Sequence, residues 1–206
     1  MVAKRAYKNS ARAALIGLAG DIYLKLFHDW RKPSGYRRVK SSIIERFDSR
    51  FDDLWQRVSK RYPISLLRDS RYLNWRYVDC PFAYIKRAFE IDGKLVGCSI
   101  IRIVQRDGAT EAHISDLILD ADPAWLFDVA AWFAIEDARA GGADLVGFRI
   151  QSPDHYLERF EKFGARRYQG KMILIVYDKN LAANGLGVDH TDLNNWLISM
   201  GDSDAI

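Results

Sequence analysis

Apolar positions along the chain repeat with two different periods, and the changes of period mark its elements. Phe51, Leu54, Trp55 and Val58 fall at i, i+3, i+4 and i+7, one face of a helix that stops before Pro63. A shorter helix follows, with Asp69 as its cap, Tyr72, Leu73, Trp75, Arg76 and Tyr77 crowding it, and Pro81 ending it. The period then becomes that of strands. Tyr84 to Ile91, Leu95 to Val104 and Glu111 to Leu119 are joined by Asp92-Gly93 and Asp107-Gly108, two-residue hairpin signals, and predict an antiparallel meander. Asp122-Pro123 and Gly141-Gly142 bracket a helix apolar on most of its circumference, which requires burial on more than one side. With Leu145 to Ile150 behind it, this helix closes a right-handed βαβ unit.

Ser152-Pro153 opens another helix whose Tyr156, Leu157, Phe160 and Phe163 share a face and which Gly164 ends. Tyr168 to Tyr177 reads as a strand covered on both faces, residues 180–187 as a loop, and Leu193, Trp196, Leu197 and Met200 as a last short helix before a solvated acidic end, Gly201-Asp202-Ser203-Asp204. The fold class predicted is α/β (α+β): a meander followed by a βαβ unit in one mixed sheet, with helices on both faces.

Before Phe47 the character differs. Net charge is +4 overall, but residues 1–50 hold 12 Lys and Arg against 4 Asp and Glu, leaving the remainder at 19 against 23. Ala11 to Phe27 has helical spacing behind Lys4, Arg5, Lys8 and Arg12, and Arg31-Lys32-Pro33-Ser34-Gly35 reads as a linker. Residues 1–46 are therefore assigned as a basic extension and residues 47–206 as the domain. Such an extension suits peripheral contact with a membrane surface or with nucleic acid, or docking of its apolar face on a neighbouring domain, the commoner arrangement. No run reaches the 18 or more apolar residues of a membrane span and no secretory signal pattern opens the chain, so a cytoplasmic location is expected. Cys80 and Cys98 are too few and too far apart for a metal cluster or a disulfide framework.

Candidate chemistry is sparse. Arg61, Arg68, Arg71 and Arg76 interleave with Tyr62, Tyr72, Trp75 and Tyr77, as on a base-stacking platform, yet aromatics at helical spacing form core more often, and no nucleic acid partner is expected. His113, Ser115 and Asp116 hold the residue types of a nucleophilic triad, but neighbours on a strand alternate faces. Asp202 and Asp204 lack the further oxygen ligands a metal requires, and no metal is expected.

The element order, Arg68-Asp69 followed by Tyr72-Leu73-Asn74-Trp75-Arg76-Tyr77, and Gly201-Asp202-Ser203-Asp204 resemble the GNAT acyltransferase superfamily, in particular GNAT-like domains encoded in bacterial polysaccharide-biosynthesis loci. The resemblance implies transfer of an acyl group from acetyl-CoA, another acyl-CoA or an unusual donor to an amine, as on a sugar precursor. It also implies a second GNAT-like domain or a second copy of the chain as neighbour, since some relatives are tandem pairs. Carried over by position, Leu117, Ile118, Leu119, Ala124 and Trp125 become the cofactor-binding residues, and His155 and Tyr156 the candidate base and acid.

Two family motifs are altered. The Gly-rich loop that cradles the CoA diphosphate falls on Asp122-Pro123-Ala124-Trp125-Leu126-Phe127, where bulky aromatics, a proline and the acidic Asp120 and Asp122 oppose a bound dianion. The tyrosine general acid falls on Phe160. A second reading stays open beside the enzyme: a catalytically inactive binding or assembly domain whose cleft Trp125 and Phe127 fill.

Overall fold

Both Asp-Gly pairs turn the chain with left-handed backbone, φ being 51° and 80° at Asp92-Gly93 and 51° and 77° at Asp107-Gly108. Positive φ at both central residues matches the twist of the flanking strands, so each pair closes a tight hairpin. The computed structural model describes residues 32–121, 123–167, 187–189 and 191–202. Within it, β1 (Lys40–Ile43), β3 (Ile85–Ile91), β4 (Lys94–Arg106), β5 (Ala109–Leu119) and β6 (Leu145–Phe148) form a sheet in the order β1-β3-β4-β5-β6. Its pairs are antiparallel except β5 with β6, which are parallel. The meander, the βαβ unit and the mixed sheet are those the sequence predicts.

α1 (Arg50–Val58) buries Phe51, Leu54, Trp55 and Val58, the four residues of its predicted stripe. α2 (Ser70–Tyr77) is capped by Asp69, whose carboxylate accepts from the Tyr72 backbone N–H at 2.7 Å. Both helices pack on one sheet face, where Leu73, Tyr77, Ala88, Cys98, Ile100 and Ile118 complete a core. α3 (Leu126–Ala140) and α4 (Tyr156–Glu161) cover the other face, over Phe89, Ile101, Ala112, Ile114, Leu117 and Leu119. Each fully buried side chain of this size contributes about 1.5–3 kcal/mol.

The second cover that α3 needs comes from the basic segment. Tyr36 stacks on Phe133 at 5.3 Å and meets Trp132 edge-on at 5.0 Å, while Arg38 lies over Trp125 at 5.1 Å. Val39 is buried in the α3-side core, and β1 extends the sheet by pairing with β3. Residues 39–43 are thus part of the domain that the sequence reading starts at residue 47. Their backbone completes a sheet edge, a role that charge composition does not report.

Three further expectations change. α3 starts at Leu126 rather than beside Pro123, because Pro123, Ala124 and Trp125 form a separate turn in which the Leu126 N–H reaches the Pro123 carbonyl at 2.9 Å. α4 starts at Tyr156, after a left-handed His155 (φ 53°). The predicted last helix is a strand, β8 (Trp196–Ser199), flanked by single helical turns. Its burial alternates, with Leu197 and Ser199 inside, and it pairs in parallel with β2 (Ile64–Ser65) and antiparallel with β7 (Ile150–Gln151). Pairing on both sides outweighs a helical spacing only one turn long. The extension to residue 31, the cap Asp122, the strand expected over Tyr168 to Tyr177, residues 180–186 of the loop, and Ser203-Asp204 lie outside the described residues.

Candidate functional site

The parallel pairing of β5 with β6 stops at Ile114 opposite Phe148. Beyond it the chain of β6 turns away, and Ile150–Gln151 pair with β8 instead. Among the described residues, the last residues of β5 therefore have a sheet neighbour only in β4, so the parallel pair splays there. A bulge adds to this opening: Ile101 faces Ile114 and Ile100 faces Asp116, so Ser115 is the extra residue. The Asp120 N–H bonds to the Val96 carbonyl at 2.8 Å, so alternation turns the polar backbone groups of Leu117 and Leu119 to the open side. The Leu119 carbonyl accepts there from Arg61.

Two cavities lie along that edge. The smaller, about 10 Å³, has Ser115, Asp116 and Leu117 of β5 on one side and Phe148, Phe160 and Ser199 on the other. The larger, about 100 Å³, sits where β5 runs into α3 and is lined by Arg61, Leu119, Asp120, Ala124, Phe127, Asp154, Tyr156 and Arg159. Its acids are answered by bases. Arg61 grips Asp154 at 3.0 and 3.1 Å, Arg57 and Lys94 hold Asp120 at 3.1 and 3.7 Å, and Arg159 reaches Asp128 at 3.1 Å. Asp120 thus does not stand as an unscreened charge at the mouth of α3. Burial, then Asp154, pushes the Tyr156 phenol up to about 12, so it stays protonated at neutral pH. Burial likewise raises Tyr62, whose hydroxyl donates to Asp154.

Of the residues carried over by resemblance, Leu119, Ala124 and Tyr156 line the larger cavity and Leu117 the smaller. Ile118 points to the α1 and α2 side, where it belongs to the other core. Trp125 packs against the α3-side core beneath Gly35 and Arg38 and lines neither cavity, whereas Phe127 packs against Tyr156 at 4.9 Å and Phe160 at 5.0 Å. His155 is 79% exposed and lines neither cavity. Arg61, Tyr62, Asp154 and Arg159 are the residues the sequence did not single out for this place. Arg61 and Asp154 lie 93 positions apart, and no local pattern links them.

Behind the edge lies a buried ionic network. Arg68, its side chain fully buried, donates to Asp116 at 3.1 Å, Asp202 at 2.6 Å and the Ser199 hydroxyl at 3.1 Å. Tyr77 donates to the second oxygen of Asp116. Asp202 is therefore locked inside and is no part of a solvated tail. The bulge also brings His113 and Asp116 to one sheet face, since they oppose Arg102 and Ile100. They form no triad: His113 bonds Glu111 at 3.2 Å, and Asp116 is held by Arg68 and Tyr77. Among the described residues no group of three or more His, Cys, Asp and Glu is placed to hold a metal, and no helix is long and apolar enough to cross a membrane.

No protein-family model matches the sequence, and no curated protein matches it. Solved structures do match its fold. An acetyltransferase of Trypanosoma brucei is 20% identical, with 67% of this chain and 99% of that one covered at a TM-score of 0.51. A ribosomal-protein-alanine N-acetyltransferase of Brucella melitensis biovar Abortus 2308 is 13% identical, with 68% and 99% covered at 0.56. Glucosamine-6-phosphate N-acetyltransferase of Arabidopsis thaliana is 14% identical, with 66% and 97% covered at 0.51. The chain has the mixed-sheet fold of the GNAT N-acetyltransferases.

Proposed function

We propose that this chain transfers an acyl group from a pantetheine thioester to an amine. The observation that carries the reading is the edge of β5 that has no partner among the described residues, where the polar backbone of Leu117 lies between the two cavities. An extended arm bearing amides, as pantetheine is, pairs with such an edge as an added strand. Arg61 and Arg159 line the larger cavity with their carboxylate partners, and Tyr156 is a protonated donor beside them. These residues do not fit the backbone cradle of a diphosphate: residues 120–126 contain no glycine, and Phe127 fills space against Tyr156 and Phe160. No catalytic step is assigned to the nucleotide end of CoA. The amine of a sugar precursor as acceptor, and a second GNAT-like domain or a second copy as neighbour, belong to the same reading.

The packing of Phe127, Tyr156 and Phe160 favours one other reading, a binding domain without catalysis. Calorimetry with acetyl-CoA and with S-acetyl-pantetheine, together with thiol release in the presence of amines, separates the two. Two absent charge-assisted bonds of about 1.5–3 kcal/mol each weaken CoA binding more than a hundredfold. Acetyl-CoA is therefore expected to bind in the millimolar range, no more than several-fold better than S-acetyl-pantetheine, with measurable amine-dependent thiol release. Absence of thiol release with both donors across primary amines establishes the non-catalytic reading.

A further inference from the structure

Three buried polar atoms without a hydrogen-bond partner stand in one row across the main sheet: the Tyr84 hydroxyl, Nη1 of Arg102 and Nδ1 of His113. Ile85 opposes Ile101 and Arg102 opposes His113, so Tyr84, just before β3, is the neighbour of Arg102 on β4, and Arg102 of His113 on β5. Residues opposed in this way send their side chains from one face. It is the face toward α1 and α2, to whose core Tyr84 belongs. Tyr84 and His113 are more than nine-tenths buried, and Arg102 has no carboxylate partner among the described residues. An unanswered guanidinium and two orphaned groups cost stability, and folded interiors hold few of them. Gathered in one row, they form the complement of a ligand.

The chemistry of each atom defines what that ligand carries. Nη1 of Arg102 only donates, and its charge calls for an anionic oxygen. The Tyr84 hydroxyl beside it is a second donor: burial raises its pKa above the ordinary value, against the pull of Arg76 and Arg102, so it keeps its proton at neutral pH. His113 turns Nε2 to the Glu111 carboxylate at 3.2 Å, which places the proton of the neutral ring on Nε2 and leaves Nδ1 a bare acceptor. A Cβ at Gly147, opposite His113 on β6, would meet Cδ2 of that ring at 3.9 Å, so Nδ1 lies on the other edge, the side of Arg102. We infer that Tyr84, Arg102 and His113 bind a small 2-hydroxy or 2-amino carboxylate, its carboxylate on Arg102 and Tyr84 and its hydroxyl or amino group donating to Nδ1 of His113. Phe82 closes the site. Its ring lies on the Arg102 guanidinium at 3.9 Å, and it is exposed on the loop between α2 and β3, free to swing aside. The site uses none of the residues to which the acyl-transfer reading assigns a part.

Calorimetry of the native chain, Y84F and R102M with glycolate, glycine, acetate and methylamine tests this, with the Tm of each form read alongside. Glycolate, the hydroxyl source, or glycine, the amino source, binds the native chain at least tenfold more tightly than acetate, which leaves Nδ1 unanswered, and methylamine does not bind. Whichever of the two binds identifies the group that His113 accepts. Y84F melts no lower than the native chain without ligand, because an orphaned hydroxyl is gone, and holds the same ligand about tenfold more weakly. R102M keeps a side chain under the Phe82 ring and loses the ligand altogether. A native chain that binds neither glycolate nor glycine overturns the inference, as does equal affinity for acetate, or affinity unchanged in both variants. A lower Tm of Y84F without ligand also overturns it, by making the hydroxyl structural. None of these outcomes moves thiol release, so the acyl-transfer reading stands or falls separately.

Discussion

Arg68 holds two carboxylates with one charge. Breaking such a buried ion pair by removing one partner typically costs 3–5 kcal/mol, since an uncompensated charge is left in low dielectric. Asp202 feels the imbalance: burial first and Asp116 second raise its pKa above the usual carboxylate value, against the pull of Arg68. A raised folded-state pKa means that the folded chain binds this proton more tightly than the unfolded one. Stability from that proton is fully present below the unfolded value, 3.8, and is lost as pH rises through the raised folded value. Urea unfolding of the native chain and of D202N across pH 3.5 to 7 checks this. The native chain should lose unfolding free energy relative to D202N as pH rises, and a parallel pair of curves would contradict it.

At the scale of elements, α2, β5 and the turn Met200–Asp202 meet at Gly201. A Cβ there would collide with the Tyr77 hydroxyl and stand 2.9 Å from Asp116. Gly201→Ala is therefore expected to cost about 1–3 kcal/mol by overpacking, read as a lower urea midpoint with an unchanged slope. Turns were the most legible part of the sequence. Asp92-Gly93, Asp107-Gly108 and the left-handed Gly142 and Gly164 stand where the chain reverses or a helix stops, because positive φ restricts residue choice strongly. After Gly142, the Ala143 N–H returns to Ala138 and the Gly142 N–H to Arg139, closing the helix end. β8 was not legible. Trp196, Leu197 and Met200 share a helix face on paper, and the pairing with β2 and β7 on both sides makes a strand of Trp196–Ser199. Element order brought Leu117, Leu119, Ala124 and Tyr156 to the walls of the two cavities, whereas the bulge at Ser115 is a register shift against β4 that no local pattern carries.

For the whole molecule, the basic segment is a second shell around α3. Lys32 lies over the Tyr36 ring at 4.5 Å, and Tyr36 covers Phe133 and Trp132. Deleting residues 1–46 removes that cover, the edge strand β1 and the buried Val39 together. Calorimetric Tm of the shortened chain is expected to fall by about 10 °C or more, since burial of several large apolar groups is lost at once. A Tm within 2 °C of the native value would return these residues to the status of an extension.

Arg68 finds Asp116 48 positions later and Asp202 134 positions later. On a chain made from its N-terminus, α2 and the meander emerge long before the second carboxylate exists. Until then the guanidinium has a single acidic partner, and β2, whose partner strand is still to be made, has no neighbour to pair with. Closing of the core around α2 therefore uses contacts of long sequence separation, which are slow to form in general. A chain halted before Asp202 leaves the Arg68 guanidinium without one of the two carboxylates that hold it in the folded core.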